Sequence, residues 1–207
     1  MSVDALKIKS LLLASANNIL AEVNSLTELD SALGDGDHGT TMEKVVHVII
    51  EKVGSWNADT DVKASLEELN EALDDVSGGS AAPLVSSFVC GMANEANNDD
   101  DTDTFIKNIL LGAYEEFFDM SGAAPGGKTM MDAIYPATEV IREADTISLD
   151  VLQAAAVAAR KGSDSTADML AKFGRARYFG DKAIGHKDPG SVTFALLYEG
   201  LAKGYEA

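Results

Sequence analysis

Apolar positions recur along most of the chain at spacings of three and four, the mark of helices that turn one face to a core. Over residues 3 to 24 the stripe runs through Leu6, Leu13, Leu20 and Val23, widened by Leu12, Ala16 and Ile19. Residues 39 to 53 align Met42, Val45, Val46, Ile49 and Ile50; the run VVHVII has a strand's composition, but Glu43, Lys44, Glu51 and Lys52 flank it in helical phase. Residues 61 to 76 are rich in helix formers, with Leu66, Leu69 and Leu73 on one side. Residues 80 to 96 are apolar and small, which predicts a buried helix opening near Pro83. The period continues through Phe105, Ile109, Ala113 and Phe117 in 102 to 120, then through 129 to 143 and the Ala-rich 148 to 172, and a last helix opens at Asp188-Pro189. The pattern predicts about eight helices and no strand, an all-α antiparallel bundle. A length of 207 residues suits one ordinary domain spanning 1–207, or at most two small ones.

Glycine punctuates the helices: GDGDHG (34 to 39), GGS (78 to 80), GAAPGG (122 to 127) and the irregular FGDKAIGHKDPG (179 to 190). Alternate connections of an antiparallel bundle fall at the same end, so several of these loops are expected at one rim. GAAPGGKT also satisfies the P-loop pattern G-x-x-x-x-G-K-T. A P-loop follows a buried strand, however, and here the preceding AYEEFFDMS is the end of an amphipathic helix. No Walker B strand is evident and strands do not alternate with helices, so as a Walker A motif the match is fortuitous.

Charge narrows the partners. Sixteen basic against thirty-four acidic residues give a net charge of −18, which opposes direct binding to nucleic acid or to an anionic membrane surface. No window is apolar enough for a membrane helix. Near the N-terminus Lys7 and Lys9 precede SLLLASA, but that run is short and Asp4 stands before it, which argues against an export signal. The single Cys90, within SSFVCGM, reads as a buried structural thiol, in keeping with a cytoplasmic protein. NNDDDTD (97 to 103) lacks the glycine and glutamate spacing of an EF-hand and reads as a solvated turn.

The densest chemistry is ELDSALGDGDHGTTM, residues 28 to 42. Asp35 and Asp37 alternate with Gly34 and Gly36, so a tight bend can bring both carboxylates to Asp30, five positions upstream of Asp35. Carboxylates that converge repel unless a hard cation joins them, and Mg²⁺ suits oxygen donors while leaving positions for phosphate. The same aspartates can equally serve as turn residues and helix caps. His38, Thr40 and Thr41 open the next helix, whose N–H groups suit an anion. His47, between Val46 and Val48, reads as structural. Ser80 lacks the strand-turn-helix context of a nucleophile. Arg175, Arg177, Lys182, His186 and Lys187 concentrate basic charge in GRARYFGDKAIGHKDPG, either a clamp for an anionic ligand or a solvated loop.

Four blocks, LDSALGDGDHGTTM, GGSAAPL, PGGKTMMDAIYPA and GRARYFGDKAIGHKDPG, resemble in content and order those of the DhaL-like, nucleotide-binding L subunit of dihydroxyacetone kinase, and the likeness covers almost the whole chain. The resemblance implies an eight-helix antiparallel barrel with ADP or ATP and two Mg²⁺ at one rim. Carried over position by position, Asp30, Asp35 and Asp37 match metal ligands. His38, Gly39, Thr40, Thr41, Gly79, Ser80, Met130, Arg175, Asp188, Pro189 and Gly190 match nucleotide contacts, and Gly122 matches one in a segment shifted in register.

The resemblance also implies a phosphotransferase, active only with a separate K-type subunit that holds dihydroxyacetone on its own histidine. No general base or nucleophile is then needed in this chain. In one form of the family bound ADP is recharged by a phosphohistidine subunit of the phosphotransferase system; in another ATP exchanges freely. Some relatives also act on a transcription regulator, which gives an alternative role. Gly127 stands where the family usually carries an acidic residue, SAAPL replaces ASGPL, and Arg177 replaces a common Ser. These departures leave the three aspartates in place and turn the question to the partner surface and to the ketose, with a tetrulose as the alternative substrate.

Overall fold

The structure, a computed structural model, describes residues 3–207. Among the described residues there is no strand, and nine α-helices form: α1 Ala5–Leu20, α2 Val23–Ser31, α3 His38–Gly54, α4 Val62–Asp74, α5 Ala81–Glu95, α6 Thr102–Ser121, α7 Met131–Glu143, α8 Leu149–Ser165 and α9 Pro189–Glu206. The all-α expectation holds. Eight of these helices form a closed ring, in which α1, α3, α4, α5, α6, α7, α8 and α9 each pack on the next and α9 packs back on α1. The short α2 lies outside that succession, against α3 and α9.

Two boundaries differ from the sequence pattern. The stretch 3 to 24 is broken after Leu20, and α2 begins at Val23. Neither Ala21 nor Glu22 is a helix breaker; packing against α3 and α9 redirects the chain there. The stretch 148 to 172 stops at Ser165, passes through a 3₁₀ turn at Thr166–Asp168 and leaves helical geometry. Contacts from elsewhere pull it away: Lys172 N–H donates to the Gly127 carbonyl at 3.1 Å, and Lys128 Nζ donates to the Thr166 carbonyl. A second 3₁₀ segment, Arg175–Ala183, kinked at Gly180, occupies part of the expected irregular connection.

The ring closes because its helices approach closely where side chains are small. Gly200 and Gly204 of α9 face the backbone of Ser15 and Leu11 in α1, and Gly91 of α5 faces Gly112 of α6. Inside, Phe194 meets the rings of Phe88 at 5.1 Å and Phe117 at 5.4 Å, both edge-to-face. Each such contact adds about 1 kcal/mol beyond burial, which ties α9 across the interior to α5 and α6. Cys90 is half-buried, not fully buried as its apolar neighbours predict, and burial with the nearby Glu116 pushes its thiol pKa up. No described helix is long and apolar enough to cross a membrane.

Candidate functional site

The connections preceding α3, α5, α7 and α9 meet at one rim, around a cavity of about 680 Å³. That is within the size range of small-molecule sites. The helix starts in the ring divide into two kinds. Asp4, Asp61, Asp101 and Ser148 cap α1, α4, α6 and α8 with side-chain hydrogen bonds. At the cavity, α3, α5 and α7 begin after Asp37, Ser80 and Met130, none of which caps its helix with a side chain. Their N-cap side chains leave the helix starts open toward the cavity, although Asp30 accepts from His38 N–H at 3.3 Å and Thr129 Oγ1 from Met131 N–H at 3.2 Å, and their dipoles favour an anion there. α9 is the exception: Asp188 Oδ2 accepts from Ser191 N–H at 2.6 Å.

Asp37 occupies the N-cap position of α3 without capping it, so its carboxylate is free for other work. One oxygen each of Asp30, Asp35 and Asp37 lies within 4.8 Å of the others. Asp30 reaches the group from the end of α2 and accepts from His38 N–H at 3.3 Å. The tight turn is permitted by Gly36, at φ +74°. Arg175 forms an ion pair with Asp35, which holds that carboxyl below its ordinary pKa and raises the guanidinium's own. Burial and then the charges of Asp35 and Asp30 push the Asp37 pKa up. One arginine does not balance three acids, and a hard divalent cation fits this all-oxygen donor set.

Beyond the carboxylates the cavity wall turns apolar through Leu33, Leu84, Phe117, Met120, Ala123, Met130 and Phe173. A ligand with an anionic end and a flat or apolar body suits that division. His38 is buried, with Nε2 2.8 Å from Thr193 Oγ1, and burial lowers its pKa to about 4. It is a neutral imidazole near pH 7, and its role is to anchor the start of α3 on α9. Burial raises the Asp188 pKa to about 7. Asp188 also lines the cavity, so water there offsets part of that burial.

Of the residues expected at the site, Asp30, Asp35, Asp37, His38, Gly79, Ser80, Met130, Arg175, Asp188, Pro189 and Gly190 line the cavity together. Gly39, Thr40, Thr41 and Gly122 do not. Gly39 packs against Val23 and Thr27 of α2, and Thr41 is buried beside Gly78. Thr40 Oγ1 donates to the Asp37 carbonyl at 2.9 Å. Gly122 ends α6 in left-handed geometry at φ +59°. His47 is exposed, with Nδ1 2.8 Å from the Glu43 carbonyl, as a structural histidine would be.

Sequence reasoning missed the apolar wall and the parts played by Asp132 and Lys128. Asp132 is buried and organises the loop before α7 by accepting from Gly126 N–H and, at 2.7 Å, from Thr129 N–H. Lys128 is 2% exposed and has φ +59°, the one positive φ outside glycine among the described residues. Left-handed geometry costs a residue with a Cβ about 1–2 kcal/mol. The compensation is visible, because its ammonium donates to the carbonyls of Thr166 and His186. The GGKT pattern marked this lysine, but its partners are backbone carbonyls of another connection.

A family model described as the DAK2 domain matches residues 32–203. The chain is 31% identical over 207 residues to the ADP-binding subunit DhaL of the PEP-dependent dihydroxyacetone kinase of Escherichia coli, covering 98% of both chains. It is 29% identical over 181 residues to the L-erythrulose 1-kinase of Mycolicibacterium smegmatis, covering 86% of this chain and 32% of that one. Among solved structures, the dihydroxyacetone kinase of C. freundii in complex with AMP-PNP and Mg²⁺ superposes with a TM-score of 0.74 at 25% identity, covering 98% of this chain and 34% of that one. The chain thus spans nearly the full length of the DhaL subunit and about a third of the longer kinases.

Proposed function

The chain belongs to the DAK2 domain family, and on that footing we propose that it is the magnesium- and adenine-nucleotide-binding subunit of a dihydroxyacetone kinase. The observation that carries this reading is the meeting of three uncapped helix starts and three carboxylates at the polar end of a cavity whose other wall is apolar. A magnesium nucleoside diphosphate or triphosphate has that distribution of charge and apolar surface. The C. freundii kinase, bound to AMP-PNP and Mg²⁺, supports the same ligand class.

In this reading Asp30, Asp35 and Asp37 hold two Mg²⁺ ions. Three carboxylates and about three negative charges of a diphosphate repel strongly, and two divalent cations remove most of that repulsion. When bound, the ions and nucleotide supply a charge-neutralised phosphoryl group for transfer. The chain's own part is to bind and orient. The start of α3 at His38, the N–H groups at Gly79 and Ser80, and Arg175 face the phosphate oxygens, while Gly39, Thr40 and Thr41 shape that helix start from behind the cavity wall. Met130 and the segment Asp188 to Gly190 border the nucleotide, and Gly122 closes the loop leading to that border. The apolar wall excludes water from one side. No side chain here serves as general base or nucleophile.

The acceptor is a ketose held by a separate K-type subunit. The phosphoryl donor that recharges bound ADP is a phosphohistidine subunit of the phosphotransferase system, in keeping with the PEP-dependent E. coli relative. Similarity to the L-erythrulose 1-kinase favours one second reading, in which the ketose is a tetrulose. The test mixes the purified chain with a K-type partner and Mg-ATP and follows phosphorylation of dihydroxyacetone and of erythrulose. Phosphorylation only when both proteins are present supports the proposal. A chain that binds no adenine nucleotide, or that phosphorylates the ketose alone, contradicts it.

A further inference from the structure

The lysine of the P-loop-like pattern borders the cavity, but its buried ammonium is taken up by two backbone carbonyls, which points to a different task from holding phosphate. Lys128 Nζ donates to the carbonyl of Thr166, one residue past the end of α8, and to that of His186, three residues before α9. These two acceptors stand at the two ends of one long excursion, which carries Arg175. The neck of the excursion is drawn together by Gly185 N–H donating to the Ala167 carbonyl at 2.8 Å and by Asp188 N–H donating to Thr166 Oγ1 at 2.9 Å. Its side is tied to the same loop as Lys128, since Lys172 N–H donates to the Gly127 carbonyl at 3.1 Å. Its basic tip reaches the carboxylates, where Arg175 pairs with Asp35. A buried ammonium between two backbone carbonyls is a costly arrangement to leave half-made, so removing it releases both strands of the neck.

We propose that Lys128 is a positioning residue: by pinning both ends of the 166–186 excursion it fixes Arg175 at the anionic end of the cavity and so sets how long a magnesium nucleotide stays bound. The proposal rests on the function proposed above. It gives this chain's G-K-T pattern a role through the neighbouring connection. It also accounts for the left-handed backbone at Lys128, which aims the side chain across to that connection.

The test compares the full chain with its Lys128→Met variant. Hydrogen exchange at the Gly185 and Lys172 amides is measured beside that of core amides in α5, and Mg-ADP dissociation is followed by stopped flow. Loss of a charged hydrogen bond at the neck is expected to speed exchange at both amides about tenfold and Mg-ADP release by a similar factor. The α5 amides should keep wild-type rates, which a general loss of stability would not allow. If Lys128→Met does not fold, Lys128→Leu, which likewise carries no donor, carries the same measurements. Unchanged exchange at Gly185 and Lys172 overturns the proposal, and so does faster exchange with unchanged Mg-ADP release. A wild-type chain that binds no Mg-ADP overturns the proposed function instead, a result seen without any variant.

Discussion

Replacing Asp37 by asparagine should raise the stability of the metal-free protein and lower that of the ligand-bound protein, so that the two melting curves change order. Asp37 shares its corner with Asp30 and Asp35, with carboxylate oxygens within 4.8 Å of one another. Two unit charges at that separation repel by about 3.5 kcal/mol at an effective dielectric of about 20, and by about 0.9 kcal/mol in water. Asp37 is half-buried and opens on the cavity, so solvent screening brings the relief near the lower figure, about 1 kcal/mol. The carboxylate caps no helix, so the substitution breaks no N-cap bond to offset this gain. For a chain of this length about 1 kcal/mol moves Tm by about 2–4 °C. With EDTA the variant should therefore melt about 2–4 °C above the wild type. With Mg-ADP at a hundred times its Kd the wild type gains about 2.7 kcal/mol, or about 5–11 °C, and the variant should lose most of that gain. Differential scanning fluorimetry in both buffers is sufficient. A variant that melts below the wild type in EDTA refutes the electrostatic reasoning, and one that keeps the full ligand shift refutes the metal assignment.

Three further outcomes probe the frame around the site. Among the described residues the buried Tyr198 hydroxyl makes at most a weak contact with Thr138, whose own hydroxyl donates to the Ile134 carbonyl, and burial raises its pKa to about 12. Because the folded value lies above the unfolded one of about 10, its effect on stability is constant below pH 10 and is lost as pH rises toward 12, by up to about 2.7 kcal/mol; Tyr198→Phe should remove that alkaline slope without destabilising the protein at pH 7, as read by urea unfolding at both pH values. Gly91→Ala would place a methyl group on the Gly112 carbonyl across the α5–α6 contact, and overpacking of about 1–3 kcal/mol should lower Tm by about 2–12 °C; an unchanged Tm would mean that the helices separate freely. A Cβ at Gly127 would stand 3.2 Å from the Phe173 ring and 3.1 Å from the Ala124 carbonyl, so Gly127→Asp should displace Phe173 and speed hydrogen exchange at Lys172 N–H, with unchanged exchange as the contrary result.

The sequence displays this architecture where a physical rule acts locally. Apolar spacing located the ring helices, but not always the buried face: α1 buries Ala5, Ile8, Leu11, Ala16 and Ile19 and leaves Leu6 exposed, whereas the expected stripe ran through Leu6, Leu13 and Leu20, and α5 and α9 are buried on most sides. Glycine and aspartate located the carboxylate turn because Gly36 needs positive φ and the acids need solvent or a cation. What escaped was decided at a distance. The break before α2 has no breaker residue and follows from packing on α3 and α9. The early end of α8 is set by Gly127 and Lys128, far away along the chain. The apolar wall was invisible for a related reason: Leu84, Phe117 and Met120 continue the helical stripes that elsewhere fill the core, and only the end of the barrel turns them toward a cavity. The capping alternative for Asp37 also needed structure, since residue type alone does not tell a capping carboxylate from one left free.

The central claim, that the three aspartates grip an adenine nucleotide through magnesium, is tested most directly by native mass spectrometry of the chain purified in Mg²⁺ and ADP. The account predicts one bound ADP with two Mg²⁺ per chain, lost together when Asp35 and Asp37 are both changed to asparagine. A wild-type mass without nucleotide, or a nucleotide retained at full occupancy by the double variant, would contradict it.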